Sequence, residues 1–168
     1  RVVELHKGVR LIHLRLGENQ HIAKAEMYLH LEGFFRELEQ FRSANHLEYD
    51  LIHSHYWLSG MLGIWAQETW KRPHVAMFHS LGAVKNHTGI GGPEPEIRIA
   101  AENAVIKTCH RIFAPTQREK ERLINFYGAS PDKIGVVPCG VDLELFSPMD
   151  QATARCQLGF NPYDTLAL

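Results

Sequence analysis

Four short apolar runs, at 49–54, 73–78, 111–114 and 134–137, alternate with stretches whose apolar residues recur at helical spacing. Strands separated by whole helices pair in parallel, because a parallel pair needs a crossover of a dozen or more residues. The sequence is therefore expected to form an α/β fold with a doubly wound parallel sheet. Open sheets of this kind bind ligands outside the carboxyl ends of their strands. Two of those ends carry chemistry. The first run closes in His53-Ser54-His55-Tyr56, and the second in His79-Ser80-Leu81-Gly82. Two adjacent strands delivering His, Tyr and Ser to one edge make a candidate site.

The remaining elements follow from local patterns. VRLIHLRL at 9–16 alternates polar and apolar side chains and reads as a strand with one exposed face. Met27, Leu31, Phe34, Phe35, Leu38 and Phe41 define an amphipathic helix over 25–42. Ser59 is the expected N-cap of a helix over 59–69. Residues 82–95 hold Gly89, Gly91, Gly92 and Pro93 and read as a long mobile loop. A helix is expected over 96–109. Thr116, with Glu119 three residues on, forms a capping-box pattern for a helix over 117–126 that Gly128 stops. Past Pro138 the pattern changes, with Cys139-Gly140-Val141-Asp142 and Phe146-Ser147-Pro148 suggesting an exit from the domain. The expected division is a domain over 1–148, then a linker and the start of a further domain over 149–168. Arg1 leads straight into strand-like residues and 164–168 resembles a strand cut short, so the chain reads as part of a longer protein.

Composition narrows the function. With 168 residues, 45% of them hydrophobic, the chain holds enough apolar material for one core. Eighteen basic and 19 acidic residues leave a net charge of -1, which gives no nucleic-acid footprint. Cys109, Cys139 and Cys156 are scattered and contain no CxxC pair, so neither a zinc knuckle nor a disulfide framework is expected, and a reducing cytoplasm is the natural compartment. No run is long enough to span a membrane.

One rival starts from the same strand ends. Alternation puts His53 and His55 on one side of their strand, and with His79 and Asp50 they could ligate a metal in a hydrolase. Against it, the other strand ends add no acidic residue. Ser54 and Ser59 lack the G-x-S-x-G setting of a nucleophilic serine.

The ordered set DLIHSHYWLSG at 50–60, HSLGAVKN at 79–86, the segment 98–102, APTQREKERL at 114–123 and VVPCGVDLELFSP at 136–148 resembles the N-terminal domain of retaining, GT-B-fold glycosyltransferases of family 4. Within the family the pieces are similar to sucrose-phosphate synthases and to inositol-phosphate glycosyltransferases. Gly82 leans to the former and residues 83–86 to the latter. The resemblance implies a Rossmann-like acceptor-side half of a two-domain enzyme, with the donor domain absent, and an isolated piece without activity. It implies a nucleotide-sugar donor, a UDP- or GDP-hexose, held by the whole enzyme. No cofactor or metal is implied for this domain. The acceptor would be a small polar sugar or polyol, with or without a phosphate; a lipid acceptor would bring peripheral membrane contact.

Carried over residue by residue, the resemblance makes His79 the catalytic residue that positions the transferring sugar. Lys24, Tyr56, Ser80 and Arg98 would bind the acceptor, with Lys24 and Arg98 on its phosphate. Thr116 and Glu119 would line the cleft, and Gly140 and Asp142 would form the interdomain hinge. Glu102 is expected to be structural and paired with a cation, and Lys85 could close over ligand. The alternatives left standing are a metal-dependent hydrolase using His53, His55 and His79, and a non-catalytic sugar-phosphate-binding module.

Overall fold

The computed structural model describes residues 1–15, 22–89, 91–161 and 163–166, with Lys24 and Ala25 described by their backbone alone. Contacts divide the chain into Arg1–Pro138 and Cys139–Leu168. The division falls where the sequence pattern changes, at Pro138, rather than at 148.

The first unit opens with an antiparallel hairpin, β1 (Val2–His6) and β2 (Val9–Ile12). The strand expected over 9–16 thus ends at Ile12; of its remainder, residue 16 lies outside the described residues. The helix expected over 25–42 is interrupted. It consists of α1 (Lys24–Met27), a 3-10 turn (Tyr28–His30) and α2 (Leu31–Ala44). Aromatic contacts fix α2 and the turn in place: Tyr28 stacks on Trp57 at 5.8 Å and Phe35 meets Trp65 edge-on at 5.8 Å.

The parallel α/β sheet follows, built from β3 (Ile52–His55), β4 (His74–Met77), β5 (Arg111–Ala114) and β6 (Ile134–Val136). Among the described residues its strands lie side by side in chain order, so the winding runs one way. The crossovers are α3 (Tyr56–Trp70), α4 (Gly82–Thr88) with α5 (Glu96–Thr108), and α6 (Gln117–Tyr127).

Register and parity separate two faces of this sheet. Ile52, Ser54, His74, Ala76, Ile112, Ala114 and Ile134 share one face and are buried. Ile64, Val84, Val105, Ile106 and Leu123 from the helices complete that core. His53, His55, Arg111, Phe113 and Gly135 lie on the other face and are exposed or half-buried. The close fit of α3 on the core face depends on Gly63. A Cβ there would lie 2.3 Å from His74 Nε2, so no other residue fits without displacing the ring.

Two expectations fail for local reasons. The α3 helix starts at Tyr56, three residues before Ser59, with His55 at the N-cap position. Ser59 instead turns its hydroxyl back to the carbonyl of Tyr56 at 3.2 Å, a bond open to serines inside helices. The expected loop over 82–95 begins as a helix, α4, because Gly82 and Ala83 find side-chain acceptors for their otherwise orphan N–H groups. Among the described residues of that stretch, 89 and 91–95 are irregular.

The second unit is small. Asp142 closes a turn by accepting from Glu144 N at 3.0 Å and Leu145 N at 3.2 Å. Asp150 caps α7 (Gln151–Gln157) through Thr153 N at 3.0 Å. No helix among the described residues is long and apolar enough to cross a membrane.

Candidate functional site

The carboxyl ends of β3 and β4 are neighbours, with His55 in register with Met77. Each strand leaves the sheet through a residue forced into left-handed backbone. Tyr56 has φ 75° and His79 has φ 59°. Side chains with a Cβ avoid this region, and each such residue costs roughly 1–3 kcal/mol. At His79 the chain reverses so sharply that Ser80 N donates to Phe78 O at 2.6 Å, the strained form of a γ-turn. The two turns aim Tyr56 and His79 out of the sheet edge.

His79 Nε2 lies 2.8 Å from His55 Nδ1, and the two rings stack with centroids 5.0 Å apart. Burial, then the charges of His53 and His79, lower the His55 pKa below the ordinary value. A neutral His55 can give or accept one proton in this contact, which fixes the orientation of the His79 ring. The nitrogens that meet here point at each other rather than at a shared ion. Among the described residues no group of three His, Cys, Asp or Glu could hold a metal.

Beneath this pair lies a buried polar network centred on Arg98 and Glu102, exposed by 2% and 0%. Arg98 Nε donates to Glu102 Oε1 at 2.8 Å, and Nη2 donates to the Ser80 carbonyl and hydroxyl, both at 3.0 Å. Its Nη1 meets Glu94 Oε2 at 2.9 Å, and its Cζ sits 4.9 Å above the Tyr56 ring. Burial works against the Arg98 charge, but the Glu102 and Glu94 carboxylates outweigh it and hold its pKa above the usual value. Glu102 also accepts from Gly82 N at 3.0 Å and from the Tyr127 hydroxyl, and that hydroxyl accepts from Ala83 N at 2.9 Å. Gly82 suits this packing, since a Cβ would make tight contacts with Arg98 Nε and Glu102 Oε2, each at 3.2 Å. Tyr127 is pushed well above its usual pKa by burial and by Glu102, so it stays a neutral donor.

The structure thus brings Tyr56, His79, Ser80 and Arg98 together. Arg98, expected on the surface of the site as a phosphate ligand, is instead a buried guanidinium engaged on three sides. Lys24 opens α1, but its side chain lies outside the described residues. Thr116 and Glu119 follow β5 at the same sheet edge. Thr116 Oγ1 accepts from Glu119 N at 3.1 Å. Glu119 Oε2 contacts Arg122 at 3.5 Å, while its Oε1 is buried without a partner. Gly140 and Asp142 belong to the second unit.

Sequence reasoning missed Glu94, Tyr127 and the His55–His79 contact. Glu94, Arg98 and Glu102 are spaced by four, the helical interval at which opposite charges meet, and that spacing could have flagged the first.

A parallel α/β sheet whose strand ends present His and Tyr beside a charge-paired Arg from α5 defines a polar-ligand site at the carboxyl edge. Residues 8–145 match the profile of Glycosyltransferase Family 4, and the chain belongs to that family. It is 39% identical over 170 residues to a D-inositol 3-phosphate glycosyltransferase of Nocardioides sp., covering 99% of this chain and 37% of that protein. A namesake from Kribbella flavida is 40% identical over 162 residues, covering 94% and 38%. The chain therefore spans under two fifths of these relatives. Among solved structures, sucrose-phosphate synthase from Thermosynechococcus elongatus superposes with a TM-score of 0.80 at 27% identity, over 95% of this chain and 39% of that one. Anabaena HepE, solved with UDP-glucose, shares the fold at TM-score 0.54 and 23% identity, over 74% of this chain and 32% of that one.

Proposed function

We propose that the whole protein transfers a hexosyl unit from a nucleotide-sugar to a hydroxyl of a small phosphorylated polyol or sugar, with retention, and that this chain is its acceptor side. The observation that carries the reading is the convergence of Tyr56, His79, Ser80 and Arg98 at one strand edge. The relatives' name, D-inositol 3-phosphate glycosyltransferase, supports a phosphorylated acceptor, and the donor is a nucleotide-sugar, a UDP- or GDP-hexose.

In this reading His79, oriented by left-handed backbone and by His55, positions the transferring sugar. Arg98 supplies fixed positive charge next to Ser80 and Tyr56. No covalent nucleophile is needed from this chain; catalysis rests on positioning and charge. The donor diphosphate is gripped by parts of the whole protein beyond this chain, Gly140 and Asp142 lie in the connection to them, and Thr116 and Glu119 line the cleft. Lys24 joins Arg98 on the phosphate.

The test is a transfer assay on the whole protein with UDP-glucose and GDP-mannose as donors, and D-inositol 3-phosphate, fructose 6-phosphate and unphosphorylated inositol as acceptors. Transfer to a phosphorylated acceptor, with the donor's anomeric configuration kept, is expected, falling on the order of 100-fold in His79→Ala. Binding without turnover would reduce the protein to a sugar-phosphate-binding module. Neither binding nor turnover with a phosphorylated acceptor would sink the proposal.

A further inference from the structure

We propose that Glu94 is an internal stand-in for the acceptor's phosphate, a carboxylate that occupies the Lys85–Arg98 cation pair until a phosphorylated ligand displaces it. The inference rests on the acceptor reading above and concerns what that ligand must remove.

Glu94 bridges cations from two helices. Its Oε2 meets Arg98 Nη1 at 2.9 Å, and its Oε1 accepts from Lys85 Nζ. Both contacts keep the carboxylate ionised at neutral pH, outweighing the opposing effect of burial. The other two edges of Arg98 are committed to other partners. Nε holds Glu102, which is itself fixed by Gly82 N and Tyr127. Nη2 holds Ser80. The Nη1 edge faces a partner borne by the irregular connection 91–95.

That connection is fastened at the same point. Asn86 brackets the Glu94 backbone, donating from Nδ2 to Glu94 O at 3.2 Å and accepting from Glu94 N at 2.7 Å. Behind these bonds lies an open cavity lined by Asn86, Gly89, Gly92 and Pro93, so little packing opposes movement of the connection. Glu94 is 16% exposed in its side chain against 2% for Arg98, so it is the member of the pair that solvent reaches.

Charge decides what happens on binding. Lys85 and Arg98 are balanced by Glu94 and Glu102. A phosphate monoester carries about -1.5 to -2 at neutral pH. Placed beside an ionised Glu94 it would meet a like charge at contact distance, which disfavours both. Placed where Glu94 sits, it meets two cations, the Lys85 ammonium and the Nη1 edge of Arg98, and makes charge-assisted hydrogen bonds to both. Exchange of one anion for the other keeps the cations matched and frees Glu94 from its anchor.

The experiment is calorimetric titration of the whole protein with D-inositol 3-phosphate and with unphosphorylated inositol, in wild type and Glu94→Gln. Removing the internal competitor is expected to tighten D-inositol 3-phosphate binding about tenfold and leave inositol unchanged. In the wild type, hydrogen exchange over 89–95 is expected to quicken at saturating D-inositol 3-phosphate. That readout decides the matter even if Glu94→Gln folds poorly. Equal or weaker binding by Glu94→Gln, or exchange that slows, overturns the inference while leaving the acceptor reading intact. A wild type that binds no phosphorylated ligand overturns both.

Discussion

Ser54 and His55 are consecutive on β3, and each pairs with a histidine from the β4 side, yet the two pairs differ in kind. Ser54 Oγ meets His74 Nε2 at 2.7 Å in the core, where His74 is 0% exposed and burial pushes its pKa down to about 4. His55 meets His79 at 2.8 Å at the open edge, on backbone strained at φ 59°. Strand alternation alone separates them: one residue points into the fold and the next out of it. A histidine contact is sealed in the core on one face and left at the exposed edge on the other.

Acid should break this contrast most strongly. Unfolded, His74 takes up a proton near its ordinary 6.5; folded, only near 4, so the unfolded state binds more protons in between. Stability contributed by the neutral ring is complete above pH 6.5 and is lost as pH falls toward 4. Between pH 7.5 and 4.5 the loss should be about 2–3 kcal/mol, read by urea unfolding, and should be absent in His74→Gln. An identical pH profile in that variant would show that other groups drive acid unfolding. A smaller effect is expected from Gly63→Ala, whose Cβ would sit 2.3 Å from His74 Nε2. Overpacking of this size costs about 1–3 kcal/mol, and an unchanged denaturation midpoint would mean the ring moves freely. The smallest effect belongs to the outer pair. His79→Gly relieves left-handed strain of about 1–2 kcal/mol but adds unfolded-chain entropy of about 0.5–1 and loses one exposed hydrogen bond. Its stability should stay within about 0.5 kcal/mol of wild type by the same unfolding assay. A loss above about 2 kcal/mol would make the outer pair a fold element after all.

Much of this was legible beforehand, for identifiable reasons. The strand ends beside His55 and His79 could be placed because short apolar runs stop at polar rings. Thr116 could be read as a cap because its acceptor reaches the N–H three residues on, and it does so at 3.1 Å. The start of α4 was not legible, since glycine argues against a helix unless something else demands it. Here Glu102, twenty residues away, packs tightly against Gly82 and accepts from its N–H. Burial of Arg98 was equally hidden. A basic residue reads as surface charge until the two carboxylates at helical spacing and the Ser80 carbonyl are in place around it. Tyr127 looked like the last residue before a glycine stop, and nothing local shows that its hydroxyl reaches α4.

The turn after β4 has a consequence for how this site can change over generations. Many phosphate cradles are built from main-chain N–H groups, which no codon alters. Here the N–H groups of Ser80, Gly82 and Ala83 are already engaged by Phe78, Glu102 and Tyr127. An anion at this turn finds those three donors taken and would be read by side chains. On the proposed reading, acceptor preference would rest in residues that single-nucleotide changes can rewrite, while the backbone beneath them stays the same.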